Sequence, residues 1–283
     1  MEPIIPDNFF GEQYSEDVAL IFKPKEILLS QKTKFQKVDI INTKTYGKIL
    51  FLDDLLMRTD KDGYIITEMI THISMLTGNT KKKVLIVGGG EGFTVTELLK
   101  YPEIEKIDVI DIDSEFVKIA KEFYPEKAKA FDDPKVTLHE VDGLEFMKNT
   151  NETYDVIFVT STDPSGLSAP LFTEEFYKLC NEKLTQEGIF MTDAYMPFYD
   201  LGYIDYKYLY NAISKHYPIT KIYNCTIPTF PGGLFSFVIG SKKHDPESEF
   251  RENPSLETNY YNSKIHKASF ALPEFMVENL GKK

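Results

Sequence analysis

Lys83-Val-Leu-Ile-Val-Gly88-Gly89-Gly90-Glu91-Gly92-Phe93-Thr94 is the stretch on which the fold turns. Val84 to Val87 is a short apolar run of the length and residue type of a buried strand. The glycines that close it permit positive φ and let a ligand approach the backbone. A helix read from Thr94 to Lys100 then offers unpaired N–H groups to whatever lies above the loop. Downstream the pattern repeats. Strands are expected at Ile107 to Ile112, Val136 to Val141, Tyr154 to Val159 and Gly188 to Thr192, with a helix from Ser114 to Phe123 after the first of these. Strands separated by helices of this length imply a mainly parallel α/β sheet with helices on both faces. Right-handed crossovers bring the carboxyl ends of the strands, and the ligand crevice, to one edge.

Upstream the chain reads differently. Lys37 to Asn42 alternates, Thr45 to Lys48 supplies a turn, and Ile49 to Leu52 continues apolar. A helix from Ile66 to Leu76 would place Met69, Ile73 and Leu76 on one face. The expected division is therefore a small β-rich domain over residues 1–65 and an α/β domain over 66–283. The segment after Lys243, with Pro246, Pro254 and Pro273, reads as a wrap over the core. Phe198, Tyr199, Tyr203, Tyr206, Tyr208 and Tyr210 suggest a helix packed on the sheet.

Composition narrows the function. The 283 residues carry a formal net charge of −12, with 42% hydrophobic and 27% charged residues. That balance disfavours nucleic acid, whose binding needs Lys and Arg to displace counterions, and favours cationic small molecules in an acidic cleft. Cys180 and Cys225 form neither a metal-ligand spacing nor a disulfide framework, and the five histidines are scattered, so no metal is expected. The first residues lack a signal peptide's basic start and apolar stretch, and no apolar run reaches the roughly 18 residues that span a membrane. A cytoplasmic location without membrane contact is the expectation.

The glycine loop departs from the dinucleotide fingerprint, because Phe93 occupies the third glycine position. Gly-x-x-x-x-Gly-Lys-Ser/Thr is absent, and Glu91 inside the loop would repel a pyrophosphate. A carboxylate there suits a cationic donor such as a sulfonium nucleoside. The second strand ends in Asp111 and Asp113, about twenty residues after the glycines, where a carboxylate accepts both hydroxyls of a ribose. The third ends in Asp142-Gly143, where an acid can accept from an adenine amino group and the glycine leaves room for the ring.

At this point the chain resembles the spermidine synthase family, the polyamine aminopropyltransferases. The motifs that carry the resemblance are Leu52-Asp53 leading to Thr67-Glu-Met69, Gly88-Gly-Gly-Glu-Gly92, Ser161-Thr-Asp-Pro164, Leu171-Phe-Thr-Glu-Glu-Phe-Tyr177, Thr226-Ile-Pro-Thr-Phe-Pro-Gly232, and Tyr260-Tyr-Asn262 with His266 and Phe270-Ala-Leu-Pro273. It runs from about Pro6 to Leu280. It implies a small N-terminal β domain before a Rossmann-like domain of the class I methyltransferase type, and a homodimer or tetramer. The activity implied is transfer of an aminopropyl group from decarboxylated S-adenosylmethionine to a diamine such as putrescine, leaving methylthioadenosine. Carried over by position, Gln36 contacts the donor, Gly88 to Gly90 form its loop, Glu91 meets its amine, Asp111 its ribose, and Asp142 and Gly143 its adenine. Asp163 stands where an acid holds the acceptor amine, and Phe230 where a Tyr commonly lines the acceptor groove.

The departures fall almost wholly on the acceptor side. The family's base is the first Asp of Asp-Ser-Ser/Thr-Asp-Pro, and Thr160 occupies its position here. Asp54 replaces a Gly, Gly63 an acid, Ile66 an acceptor-side Tyr, and Thr67 a Gln or His. Three readings stay open: an aminopropyltransferase in which Asp163 or Asp193 takes the proton, an N-methyltransferase of a polyamine-like acceptor, and a nucleoside-binding protein without catalysis. Gly88 to Thr94 also resembles the loop of putrescine N-methyltransferases, but those carry an apolar residue at the position of Glu91. Its carboxylate should repel the α-carboxylate of S-adenosylmethionine, which favours the decarboxylated donor.

Overall fold

The computed structural model describes residues 4–161, 168–199 and 205–281. The chain opens with a two-stranded antiparallel hairpin, β1 (Phe10–Gln13) and β2 (Ala19–Phe22). A four-stranded antiparallel meander follows: β3 (Glu26–Lys32), β4 (Lys37–Thr43), β5 (Gly47–Leu52) and β6 (Leu55–Thr59). Alternation gives β4 and β5 two apolar faces. Val38, Ile40, Leu50 and Leu52 pack towards Phe116, Ile119 and Tyr124 of the α/β part, while Ile41, Ile49 and Phe51 pack with Phe22 and Leu56. Asp53 and Asp54 form the β5–β6 turn at φ 50° and 65°. A two-residue hairpin needs that left-handed geometry, and Asn-Gly or Asp-Gly adopts it most readily.

Helix α1 (Gly63–Leu76) starts three residues earlier than the apolar spacing predicts. The α/β part then runs β7 (Lys83–Val87), α2 (Phe93–Leu98), β8 (Lys106–Ile110), α3 (Ser114–Phe123), α4 (Pro125–Ala128), β9 (Val136–His139), α5 (Gly143–Asn149), β10 (Tyr154–Val159), α6 (Glu174–Glu182) and β11 (Leu184–Tyr195). Next come α7 (Tyr206–Ser214), β12 (Ile219–Thr226), β13 (Leu234–Ser241), α8 (Ser263–Ser269) and α9 (Glu274–Asn279). These strands form one seven-stranded sheet in the order β12-β13-β11-β10-β7-β8-β9. From β11 to β9 every neighbouring pair is parallel, whereas β13 is antiparallel to both β11 and β12.

The order of the strands locates the site. From β7 the chain adds β8 and β9 on one side, then crosses back to add β10 and β11 on the other. The strand order therefore reverses between β7 and β10, the place where a sheet of this kind opens a crevice at its carboxyl edge. Three strands differ in length from the sequence reading. β8 stops at Ile110 and β9 at His139, because the residues beyond turn into the crevice, and β11 runs through to Tyr195. β12 and β13 have no counterpart in that reading.

The carboxyl-terminal segment lies against α1. Glu68 is buried, and its carboxylate accepts the backbone N–H groups of Asn259, Tyr260 and Tyr261, each at 2.8 Å. The tail is pinned a second time at His266, whose ring stacks on Phe250 and bonds the Tyr261 hydroxyl and the Pro246 carbonyl. Its neighbour within the core, His72, sits between the Tyr101 hydroxyl at 2.8 Å and Glu97 at 3.2 Å. Both histidines are thus engaged in packing contacts.

Candidate active site

The crevice deepens into a cavity of about 450 Å³ between the meander and the carboxyl edge of the large sheet. Gln36, Gly88, Gly89, Glu91, Asp111, Asp113, Asp142 and Gly143 line it, as do Ile66, Thr67, Thr160, Asp193 and Phe230. Gly90 stands just behind the wall and Asp163 lies outside the described residues.

The glycine loop is shaped by contacts that no side chain would allow. Gly88, Gly89 and Gly92 take φ of 87°, 105° and 80°. A Cβ on Gly90 would stand 2.5 Å from an Asp111 oxygen, so its absence lets the Gly90 N–H reach that oxygen at 2.8 Å. The other Asp111 oxygen accepts the Asp113 N–H at 2.9 Å. Burial nevertheless dominates and pushes the Asp111 carboxyl up to about 7. A ligand that donates two hydroxyls to it would favour the ionised form.

Asp113 is occupied by the protein itself. It caps α3 through the Phe116 N–H at 3.0 Å and accepts from the Thr33 hydroxyl at 2.7 Å and the Gln36 amide at 2.9 Å. The carboxylate thereby fixes Gln36 against the end of β8 and holds the meander to the sheet. Asp142 caps α5 through the Glu145 N–H at 2.9 Å. At Gly143 a Cβ would fall 2.7 Å from Val87, closing the slot beside Leu171. That gap is an apolar cradle with an acid at its rim, which suits a purine ring.

Thr160 follows the last residue of β10, and Asp193 lies two residues short of the end of the adjacent parallel strand β11; each is one residue past the paired Val159 and Thr192. The Thr160 N–H donates to the Val87 carbonyl at 3.0 Å, while its buried hydroxyl oxygen has no partner among the described residues. Opposite lies a largely apolar wall built from Ile66, Ile70, Met196, Phe230 and Phe235. The Thr67 hydroxyl turns back to the Gly63 carbonyl at 3.2 Å. Phe230 is placed by its neighbour Thr229, whose N–H and hydroxyl both bond the buried Asp62 just before α1, at 3.0 and 2.8 Å.

Sequence reasoning missed several cavity residues. Arg58 on β6, Glu12 on β1 and Tyr195 at the end of β11 all face it. Tyr195 holds φ at 62°, a conformation that costs a bulky residue about 1–3 kcal/mol and clusters at functional sites. No sequence signal marks that strain. Arg58 could have been noticed, because every other charged residue lining the cavity among those described is an acid. Among the described residues no cluster of three or more His, Cys, Asp or Glu side chains could hold a metal, and no helix is long and apolar enough to cross a membrane.

Comparison with known proteins adds the family. Residues 63–252 match the spermine/spermidine synthase domain, and residues 9–60 match the spermidine synthase tetramerisation domain. The polyamine aminopropyltransferase of Thermoanaerobacter sp. is 40% identical over 275 residues, covering 95% of this chain and 97% of that protein. Its counterpart from Clostridium kluyveri is 41% identical over 275 residues, covering 97% and 99%. A crystal structure of spermidine synthase in complex with the transition state analogue AdoDATO superposes with a TM-score of 0.92 at 35% identity, over 97% of this chain and 95% of that one. The spermidine synthase of Thermotoga maritima gives 0.91 at 35%, over 97% and 94%. The Rossmann-like sheet, the β domain before it and these matches along nearly the whole length agree: the chain belongs to the spermidine synthase family.

Proposed function

We propose that this protein is a polyamine aminopropyltransferase, moving an aminopropyl group from decarboxylated S-adenosylmethionine to an amine and releasing methylthioadenosine. The observation that carries the reading is the donor half of the cavity. Asp111, backed by the Gly90 and Asp113 N–H groups, receives the ribose hydroxyls. Asp142 and the slot at Gly143 receive the adenine. Glu91 meets the donor amine, and Gln36, held by Asp113, closes the seat from the meander. The relatives named for this activity and the analogue-bound neighbour support the same assignment.

The reaction is an in-line displacement at the carbon beside the sulfonium, and the attacking amine must first lose a proton. A free alkylamine titrates near 10, as lysine does, so a base is needed at neutral pH. Thr160 accepts a hydrogen bond but cannot hold the proton. Asp193, near the end of the next strand, is the carboxylate we assign to that task, and Asp163 to holding the acceptor amine. Ile66, Thr67 and Phe230 form the acceptor wall. Thr160 at the position of the family's Asp base favours one second reading, a protein that binds the nucleoside and turns nothing over.

The protein is expected to act as a homo-oligomer, a dimer or tetramer, in the cytoplasm; the match to a tetramerisation domain supports the assembly. Purified protein incubated with decarboxylated S-adenosylmethionine and a panel of di- and polyamines should release methylthioadenosine, followed by mass spectrometry. No release with any amine, while methylthioadenosine still binds, overturns transfer in favour of the second reading.

A further inference from the structure

Arg58 is the only Lys or Arg among the described residues that line the cavity. It is 9% exposed. Its guanidinium carbon lies 3.0 Å from the centre of the Phe93 ring, so the aromatic face covers one side of the plane. Gly63 makes room for the head, since a Cβ there would stand 3.0 Å from Nη2. The five N–H donors point outward in the plane, where a ring face cannot accept them. Among the described residues no hydrogen bond and no ion pair within 4 Å satisfies them.

The carboxylate that acts on Arg58 most strongly is Glu91, half-buried in the glycine loop and also lining the cavity. Burial raises the Glu91 carboxyl, and Arg58 works against that rise without touching it. A buried cation and a half-buried carboxylate therefore face one cavity without an ion pair within 4 Å between them. Buried charges of this kind are tolerated when paired and hydrogen-bonded, and costly when left apart. A ligand with an ammonium alone would complete Glu91 and leave Arg58 unpaired and repulsive. One carrying an ammonium and a carboxylate on the same carbon would complete both.

We infer that the cavity accepts a ligand with an amino-acid head, its ammonium on Glu91 and its carboxylate on Arg58. This rests on the cavity being the transferase site proposed above. Two sources offer that head: a sulfonium nucleoside that keeps its α-carboxylate, or an acceptor diamine that carries one. Arg58 offsets the repulsion that Glu91 alone would exert on such a carboxylate. The ligand range of the site is thus wider than decarboxylated substrates.

Calorimetry on the full chain separates the sources with two matched pairs. The first is S-adenosylmethionine against its decarboxylated form; the second, with methylthioadenosine saturating, is ornithine against putrescine. In at least one pair the carboxylated member should bind as tightly as its partner or more so. Arg58→Met should weaken that member by about 10- to 100-fold, the range of a charge-assisted hydrogen bond, and spare its decarboxylated partner. Arg58→Lys should recover part of the loss. Methylthioadenosine affinity, equal across the variants, reports that the fold and the seat persist. The inference is overturned if the decarboxylated member binds tenfold tighter in both pairs of the unmodified protein, or if Arg58→Met weakens both members alike. Should methylthioadenosine itself fail to bind, the transferase reading falls, while ornithine and putrescine titrated alone still test Arg58.

Discussion

Replacing Thr160 with aspartate puts a carboxylate where the buried hydroxyl now stands, between the ends of β7 and β11. The hydroxyl oxygen is 3.8 Å from the place a Cβ would take on Gly89, so the new carboxylate stands beside the glycine loop. Burial already pushes Asp111 up to about 7 and raises Glu91 in the same cavity. A new carboxylate beside them should be raised as well, which brings it closer to the amine it must deprotonate. A positioned base contributes about 10²- to 10⁴-fold, or about 2.7–5.5 kcal/mol of barrier. Methylthioadenosine release measured in single turnovers with putrescine, at pH 8, should therefore rise by at least about a hundredfold in Thr160→Asp. Thr160→Val, which keeps the shape and drops the hydroxyl, should change the rate by less than about threefold. An unchanged rate in a Thr160→Asp protein that still binds methylthioadenosine would refute the idea that a carboxylate at 160 serves better than Asp193.

Three further outcomes are expected. With the ribose assigned to ionised Asp111 as proposed, methylthioadenosine affinity should hold above pH 7 and fall as pH drops below it, approaching tenfold per pH unit; a flat profile from pH 8 to 5.5 in calorimetry would remove Asp111 from the seat. Glu68→Ala strands three N–H groups of the tail, that of Tyr261 buried and those of Asn259 and Tyr260 part-buried, and should cost about 3 kcal/mol in urea unfolding, with the 259–261 segment cut first by protease; an unchanged midpoint would mean the tail is held elsewhere. Asp54→Gly relieves the left-handed turn and should stabilise the chain by about 1 kcal/mol, less the small contribution of the exposed Lys37 contact, read as a higher urea midpoint.

What the sequence disclosed follows from where its periodicity is strong. Val84 to Val87 and Tyr154 to Val159 are short, apolar and bounded by glycine or polar turns, and both form strands at those positions. Ser114 to Phe123 is an amphipathic helix with its acid cap written just before it, and it matches residue for residue. β12 and β13 escaped because their runs, Ile219–Thr226 and Leu234–Ser241, are broken by Lys, Asn, Ser and Gly that mimic loop composition. The start of α1 was misplaced because Gly63 and Tyr64 carry no apolar signal, and Asp62 bonds Thr229 instead of capping its own helix. Within the cavity, the glycines and strand-end acids were legible because their chemistry is local. Asp113 lines the cavity, and its bonds to Thr33, Gln36 and Phe116 are tertiary contacts that no local pattern discloses. Arg58 hides in the run Arg-Thr-Asp-Lys-Asp, which looks like a solvated turn until Phe93 and Glu91 are brought to it from thirty residues away.

The bond from Thr229 to Asp62 fastens the loop bearing Phe230 to the root of α1, and α1 in turn carries Ile66 and Thr67 into the cavity. The acceptor wall is then a single bolted panel rather than two independent flaps. New acceptor preferences in this scaffold should arise by exchanging the side chains at 66, 67 and 230, singly and with little epistasis through the backbone. Insertions or deletions in either loop, by contrast, should loosen the panel as a whole and blur selectivity for every amine at once.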